Sequence, residues 1–175
     1  MSVTLKITTI QTQLHWESPQ ANRDMLQEKI LGVQEATDII VLPEMFTSGF
    51  SMEASKLAEE KDGITFSWMK ALAAEKGAAL TGSYIIKDKE LFYNRLFFFT
   101  AEGEVFTYDK KHTFTLAGEH KTYTAGSERI IIEYKGWRIC PLICYDLRFP
   151  VWARNTEDYD MLLYVANWPK KRIAA

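Results

Sequence analysis

The sequence has few cysteines, little excess charge and no long apolar run. Its 175 residues include two cysteines and carry a formal net charge of -2. A charge so close to neutral argues against binding to nucleic acid through a basic surface. No apolar run approaches the about 20 residues needed to cross a membrane, and the opening "MSVTLKITTI" lacks the parts of a secretory signal. These absences predict a cytoplasmic protein without a nucleic-acid or membrane partner.

The two cysteines predict neither a disulfide nor a zinc site. Cys140 and Cys144 lie in one apolar run with the character of a strand, which would place them about 13 Å apart at about 3.3 Å per residue. A disulfide needs Cα atoms within about 7 Å of each other. Because no histidine is a close neighbour in the sequence, the pair is also a poor zinc site. The two cysteines are therefore not expected to pair.

Strand and helix patterns alternate along the chain. The predicted strands span residues 3–12, 38–43, 79–87, 91–100, 105–109, 129–134, 137–144 and 160–167. The predicted helices span residues 19–35, 65–76 and 148–156. Apolar strands interleaved with helices predict a layered α/β fold, and the length predicts a single domain over residues 1–175. Because turns join several neighbouring strands, part of the sheet should be antiparallel or mixed.

Prolines, a threonine and a glycine mark where these elements begin, end or are interrupted. Pro19 opens the first helix, while Thr65 is a plausible cap and Gly77 the end of the second. Pro141 falls inside a predicted strand, although proline cannot donate to a sheet ladder. It must therefore occupy either a bulge or an unpaired position.

Three chemically capable side chains each follow a predicted strand. They are Glu44 in "VLPEMFTSGF", Lys110 in "YDKKHTF" and Cys144 in "PLICYDLRFP". Functional sites of open α/β sheets lie just beyond the carboxyl ends of strands, where these residues would supply a base, a cation and a nucleophile. Each also has an ordinary explanation. Glu44 would be a solvated loop residue, Lys110 an exposed edge residue and Cys144 a buried core residue.

The same segments carry a resemblance to a known family. "LPEMFTSGF", "YDKKHTF" and "ICYDLRFP", in this order and spacing, resemble the three signature blocks of the nitrilase superfamily of carbon–nitrogen hydrolases. The similarity runs from residue 3 to the end of the chain and includes "YVANWP". Within the family, "PEMFTSGF" and "CYDLRFPVWARN" resemble the ω-amidase (2-oxoglutaramate amidase) branch.

The resemblance implies a fold with more parts than this chain supplies. Family members form a four-layer αββα sandwich with two related halves, and their chains continue well past the "NWP" segment. We therefore expect an αββα sandwich of the nitrilase type whose C-terminal part is missing from the present sequence.

The resemblance also implies roles for individual residues. Glu44 would be the general base, Lys110 the cation and Cys144 the nucleophile. Lys110 and the backbone N–H of Tyr145 would stabilise the oxyanion, and Glu119 in "LAGEHKTY" would support the lysine and the substrate.

Residues outside the catalytic set receive weaker expectations. The resemblance makes His112 structural, and His120 is expected at the surface. Phe50, Arg148 and Trp168 are candidates for substrate binding. For Arg148 the preferred alternative is a buried ion pair or a contact at a helix end. For the aromatic residues, Phe46 among them, core packing is an equal alternative.

The implied reaction is hydrolysis of the ω-amide of a small dicarboxylic or 2-oxo acid, such as 2-oxoglutaramate, through a thioester. A free thiol with a pKa near about 8.5 is mostly protonated at neutral pH, so the attack needs a base. No metal or organic cofactor is required, and the family commonly forms homodimers. Two alternatives stay open: an inactive fragment or scaffold relative of the family, and a nitrilase or N-carbamoyl hydrolase.

Overall fold

The computed structural model describes residues 4–168, which form two β-sheets with helices over one outer face. The strands of the five-stranded sheet are, in spatial order, β1 (Ile7–Thr9), β2 (Ile39–Val41), β3 (Ala79–Asp88), β4 (Leu91–Phe99) and β5 (Val105–Asp109). The first three strands are parallel, whereas β3, β4 and β5 are antiparallel neighbours. The three-stranded sheet contains β6 (Ile132–Tyr134), β7 (Trp137–Ile143) and β8 (Met161–Val165). Strand β7 is antiparallel to β6 and parallel to β8, so both sheets are mixed, as predicted.

Two long helices cover the outer face of the five-stranded sheet. They are α1 (Pro19–Leu31) and α3 (Ile64–Lys76), while α2 (Ala54–Leu57) is a single turn. Leu26 of α1 and Met69 of α3 are fully buried in one apolar cluster with Phe97 of β4. Proline suits the first turn of α1 because its missing N–H has no partner there. Gly77 ends α3 at a φ of 61°, a left-handed conformation that glycine adopts readily.

A second apolar cluster fills the space between the two sheets. Phe98 and Tyr108 from the five-stranded sheet meet Ile139 and Leu142 from the three-stranded sheet. The order of the layers is therefore helices, five-stranded sheet, three-stranded sheet. Residues 4–168 supply three layers of the predicted αββα sandwich. Pro169 and the residues after it lie outside the described part of the chain.

Several predicted boundaries differ from the structure. The strands predicted at 3–12 and 129–134 are shorter in the structure, where β1 and β6 have three residues each. Residues 4–12 are exposed or only partly buried, and residues 129–131 are partly buried, so β-rich composition there is not matched by a neighbouring strand along its whole length. The predicted cap at Thr65 is wrong, because Gly63 occupies the cap position. The Thr65 hydroxyl and backbone N–H instead bind the Glu59 carboxylate.

The helix predicted at 148–156 is also wrong. Cys144–Arg148 form a short 3₁₀ helix, and residues 149–153 continue in hydrogen-bonded turns. Pro150 explains the break, because proline disfavours the helical conformation of the residue before it. Phe149 accordingly has a φ of -120° and a ψ of 76°, away from helical values.

Pro141 lies in the central strand β7 in register with Leu163 of β8, but its nitrogen occupies an unpaired position on the other side of the strand. The carbonyl of Arg138 accepts a hydrogen bond from Asp160 N–H, so Arg138 faces β8. Alternate residues face opposite neighbours, which turns the nitrogen of Pro141 toward β6. Pairing between β6 and β7 ends at Ile139, so a proline nitrogen at 141 disrupts no ladder bond.

Within the described residues, no helix is both long enough and apolar enough to span a membrane.

Candidate active site

Strand ends from both sheets bring the predicted reactive residues to one cavity. Glu44 follows β2, Lys110 follows β5 and Cys144 follows β7. All three line a cavity of about 560 Å³. The five-stranded sheet thus contributes the carboxylate and the ammonium, and the three-stranded sheet contributes the thiol.

Lys110 is a buried cation held between two buried carboxylates. Its Nζ lies 2.7 Å from Glu44 Oε1 and 3.0 Å from each carboxylate oxygen of Glu119. All three side chains are at most 1% exposed, so each charge depends on the others for compensation. Burial by itself lowers the pKa of Lys110, but the negative charges of Glu44 and Glu119 outweigh it and raise that pKa above its usual value. The lysine is therefore charged.

Glu119 reaches this cluster from a loop. Gly118 before it has a φ of 77°, and Glu119 begins a short 3₁₀ turn over Glu119–Lys121. Burial is the main reason that the pKa of Glu119 is raised, and Lys110 opposes it. The structure thus places the Glu119 carboxylate on Lys110, the residue that the resemblance implied it would support.

Cys144 is half-buried and has an unusual backbone conformation. Its φ of 42° lies in the left-handed region, which a non-glycine residue adopts only when its surroundings hold it there. Burial and the nearby Glu44 carboxylate raise the pKa of the thiol, while Lys110 lowers it. The resting thiol is therefore protonated, and a base must remove its proton before it can attack. Cys140 is also a free thiol, so the two cysteines are unpaired, as predicted.

Asp146 holds the turn that contains Cys144, a role that the sequence analysis missed. This fully buried carboxylate accepts hydrogen bonds from Tyr108 Oη at 2.8 Å, His112 N at 2.9 Å and Ile143 N at 3.0 Å. The Nδ1 atom of His112 lies 2.8 Å from Asp146, and its ring stacks on Phe149 with centroids 3.7 Å apart. His112 therefore braces the turn, in agreement with the structural role implied for it.

Two asparagines contact Glu44, and the sequence analysis identified neither of them. Asn94 Nδ2 donates to Glu44 Oε1 at 2.9 Å, and Asn167 backbone N–H donates to Glu44 Oε2 at 3.1 Å. The Asn167 backbone also lowers the pKa of the Cys144 thiol. Nothing in the strand pattern "LFYNRLFFFT" distinguishes Asn94 from a solvated position.

All three predicted substrate-binding candidates line the cavity, as does Tyr145. The ring of Phe50 lies 5.2 Å from Lys110 Nζ. Phe46, in contrast, is buried in the cluster beneath α1 and α3. The role of the Tyr145 backbone N–H stays a prediction.

Arg148 does not form the buried ion pair that was one of its two preferred alternatives; the other, a contact at a helix end, stays a prediction. Its side chain is exposed, and its guanidinium lies 5.5 Å from the centre of the Trp168 ring. In residues 4–168 no carboxylate pairs with it. The expected ion pair is wrong because the 3₁₀ helix directs this side chain into the cavity wall. His120, expected at the surface, is exposed.

No group of three His, Cys, Asp or Glu side chains in the described part of the chain is arranged to hold a metal ion.

Comparison with known proteins agrees with this arrangement. The carbon-nitrogen hydrolase family pattern matches residues 6–174. XC1258 from Xanthomonas campestris, a CN-hydrolase superfamily protein solved with an arsenic adduct in its active site, superposes with a TM-score of 0.92. It is 44% identical, and the match covers 96% of this chain and 66% of that one. The predicted α/β fold of the nitrilase type is thereby confirmed.

Two curated relatives are similar over nearly the whole chain. The omega-amidase YafV of Escherichia coli (strain K12) is 47% identical over 168 residues, covering 96% of this chain and 65% of the relative. The 2-oxoglutaramate amidase of Bacillus subtilis (strain 168) is 32% identical over 172 residues, and the match covers 95% of this chain and 66% of the relative. The chain thus spans about 65% of the length of the omega-amidase that it matches. On the family match and the fold together, this chain belongs to the carbon–nitrogen hydrolase family.

Proposed function

We propose that the protein is a thiol-dependent amidase that hydrolyses the ω-amide of a small dicarboxylic or 2-oxo acid, such as 2-oxoglutaramate. The observation that carries this proposal is the buried Lys110 between Glu44 and Glu119, beside Cys144 in one cavity. Two relatives named omega-amidase and 2-oxoglutaramate amidase support the choice of substrate class.

The first step is attack by Cys144 on the amide carbon. Glu44 takes the thiol proton as the C–S bond forms, and the carbonyl π electrons move to oxygen. This order suits a thiol whose pKa is raised by burial and by the Glu44 charge, because no thiolate is present beforehand. Lys110 and the Tyr145 N–H stabilise the oxyanion, a contribution of about 3 to 4 kcal/mol per donor.

The second half of the reaction returns the enzyme to its starting state. The oxyanion collapses, the C–N bond breaks, and Glu44 gives its proton to the departing ammonia. A water molecule, deprotonated by Glu44, then attacks the thioester. The C–S bond breaks, the acid leaves, and the sulfur regains a proton from Glu44.

Arg148 is the cation that we assign to the substrate carboxylate. Its exposed guanidinium lines the same cavity as Cys144 and lies over Trp168, without a carboxylate partner in residues 4–168. We expect Arg148→Leu to raise KM for 2-oxoglutaramate about 10- to 100-fold, because a hydrogen-bonded charge pair contributes about 1.5 to 3 kcal/mol. The KM for a neutral amide of similar length should change little.

Steady-state kinetics on both amides separate these effects. Arg148→Lys keeps the positive charge but loses the planar guanidinium. Its KM for 2-oxoglutaramate should therefore lie between those of the wild type and of Arg148→Leu. An equal loss on the charged and the neutral amide would contradict the assignment.

The decisive experiment for the proposed function is ammonia release from a panel of substrates. The purified chain, with its mass confirmed, should release ammonia from 2-oxoglutaramate and succinamate. Turnover of nitriles or N-carbamoyl amino acids instead would indicate the alternative hydrolase specificities. If no compound releases ammonia and iodoacetamide leaves Cys144 unmodified, the protein is an inactive scaffold of this family.

We also propose that the protein acts in the cytoplasm as a homodimer. Two free thiols suit a reducing compartment. Leu147 and Val151, close to the nucleophile in sequence, are 55% and 79% exposed, which suits a surface covered by a second copy. Sedimentation equilibrium measures the mass of the assembly, and a monomer at cellular concentrations would contradict the dimer.

A further inference from the structure

Asn94 contacts all three charged residues that converge from the five-stranded-sheet side of the site. Its backbone carbonyl accepts a hydrogen bond from Lys110 N–H at 3.0 Å. Its side-chain Nδ2 donates to Glu44 Oε1 at 2.9 Å and reaches Glu119 Oε1 at 3.5 Å, the limit of a hydrogen bond. The residue is 1% exposed. One side chain therefore connects both carboxylates, while its backbone holds the lysine.

The orientation of the Asn94 amide follows from its surroundings. An amide facing two carboxylates must present its N–H groups, because its oxygen would meet two acceptors. The other end of the amide, Oδ1, is buried and has no partner within residues 4–168. Leaving a buried carbonyl unpaired is unfavourable. The role of the Asn94 side chain is therefore to donate hydrogen bonds to the two carboxylates.

Hydrogen bonds distinguish the two oxygens of Glu44. Oε1 accepts from Lys110 Nζ at 2.7 Å and from Asn94 Nδ2 at 2.9 Å, which occupies both of its lone pairs. Oε2 accepts from Asn167 N–H at 3.1 Å, and the Asn167 backbone also lowers the pKa of the neighbouring Cys144 thiol. Oε2, which keeps a free lone pair, is thus the oxygen that shares Asn167 as a neighbour with the thiol.

We propose that Asn94 is a positioning residue that makes Oε2 of Glu44 the oxygen that accepts the Cys144 proton. The S–H bond breaks with its electrons staying on sulfur, and an O–H bond forms at Oε2. The same proton later passes from Oε2 to the departing nitrogen. This inference rests on the proposed function, because it requires Cys144 as the nucleophile and Glu44 as the base.

A neutral donor suits this position better than a charged one. Two carboxylates and one ammonium leave the cluster with one net negative charge, which a base needs. A second cation at position 94 would neutralise that charge and weaken proton abstraction. An asparagine fixes the direction of Glu44 without changing the charge of the cluster.

The test compares two single variants, Asn94→Leu and its matched control Thr81→Val. Thr81 is a buried polar residue of the neighbouring strand β3, and its hydroxyl bonds Phe97 O, away from the cavity. In Asn94→Leu we expect kcat for 2-oxoglutaramate to fall about 10- to 100-fold, with KM within about threefold. Alkylation of Cys144 by iodoacetamide should slow by a similar factor. Thr81→Val should match the wild type in all of these.

A merely structural role makes a different set of predictions. Asn94→Leu would then lower the melting temperature but leave the alkylation rate of Cys144 unchanged, which would overturn the inference. Asn94→Asp keeps the shape of the side chain and provides the test if the leucine variant does not fold. The new carboxyl group can donate a hydrogen bond only when it is protonated. The losses of kcat and of alkylation rate in Asn94→Asp should therefore grow as the pH rises above the point where that carboxyl ionises. Wild-type alkylation rates that survive Glu44→Gln would refute the proposed function itself, whatever the Asn94 variants do.

Discussion

Replacing Cys144 by alanine should abolish ammonia release, on the order of 10⁶-fold in kcat, because no thioester can form. The fold should persist. Cys144 is only half-buried, and alanine faces the same left-handed backbone conformation as the cysteine at a φ of 42°. We therefore expect the free energy of unfolding to change by less than about 1 kcal/mol. Ammonia release and urea unfolding measure the two effects on the same protein.

Cys140→Ala is the matched control for this substitution. Cys140 lies in strand β7, four residues before Cys144 and fully buried between the two sheets, and burial raises the pKa of its thiol to about 11. It should therefore resist iodoacetamide at neutral pH, and its alanine variant should retain turnover at a stability cost of about 1 kcal/mol. Equal loss of activity in both variants would mean that the Cys144 effect comes from packing and not from chemistry.

Replacing Lys110 by methionine should damage both stability and turnover. The change leaves the buried carboxylates of Glu44 and Glu119 without the cation between them. Removing one partner of a buried ion pair costs about 3 to 5 kcal/mol, because the remaining charge is uncompensated. Turnover should fall at least about 10³-fold, since the oxyanion loses a donor and Glu119 loses the cation that opposes its protonation. Urea unfolding and ammonia release measure the two losses.

The stability loss in Lys110→Met should depend on pH with a defined sign. The pKa of Glu119 is already raised in the folded protein, mainly by burial, and Lys110 now limits that rise. Without the lysine, the folded variant holds a proton that the unfolded chain releases. Its stability should therefore be highest at low pH and fall as pH increases above the ordinary glutamate range.

Lys111→Met provides the matched control for charge and length. Lys111 is half-buried, and its Nζ lies 5.4 Å from the centre of the Trp152 ring. Loss of such a contact costs about 0.5 to 1 kcal/mol, and turnover should be close to that of the wild type. If Lys110→Met were as stable as Lys111→Met at pH 8, the buried charge cluster would not be the source of the effect.

The meeting of Glu44, Lys110 and Cys144 in one cavity could be predicted because each follows an apolar strand directly. Strand ends converge in α/β folds, so position in the pattern predicts position in space. The three signature blocks added the reaction type. Glu119 could be assigned only through the family resemblance, because its loop follows no periodic pattern.

Asn94 and Asp146 could not be found in the same way. Alternation along the strand of Asn94 indicates which residues share a face of the sheet. It does not indicate which face is covered by the loops that contain Glu44 and Glu119. Asp146 is visible in "ICYDLRFP", but its donors Tyr108 and His112 are more than thirty positions away in the sequence. A single sequence contains no record of such distant partners. The helix predicted at 148–156 is absent because Pro150 disfavours the helical conformation of Phe149, a local effect that a pattern of apolar spacing does not show.

Because the site is divided between two sheets, the geometry of the proposed proton transfer depends on the position of one sheet relative to the other. Glu44 and Lys110 move with the five-stranded sheet, whereas Cys144 and Asn167 move with the three-stranded one. In residues 4–168 no strand ladder joins the sheets, and apolar packing around Phe98 and Ile139 sets their offset. The distance over which the proton moves is thus determined by the core. Heating or a core substitution should therefore abolish the proposed amidase activity before the chain unfolds, and that activity should respond to interior packing earlier than circular dichroism does.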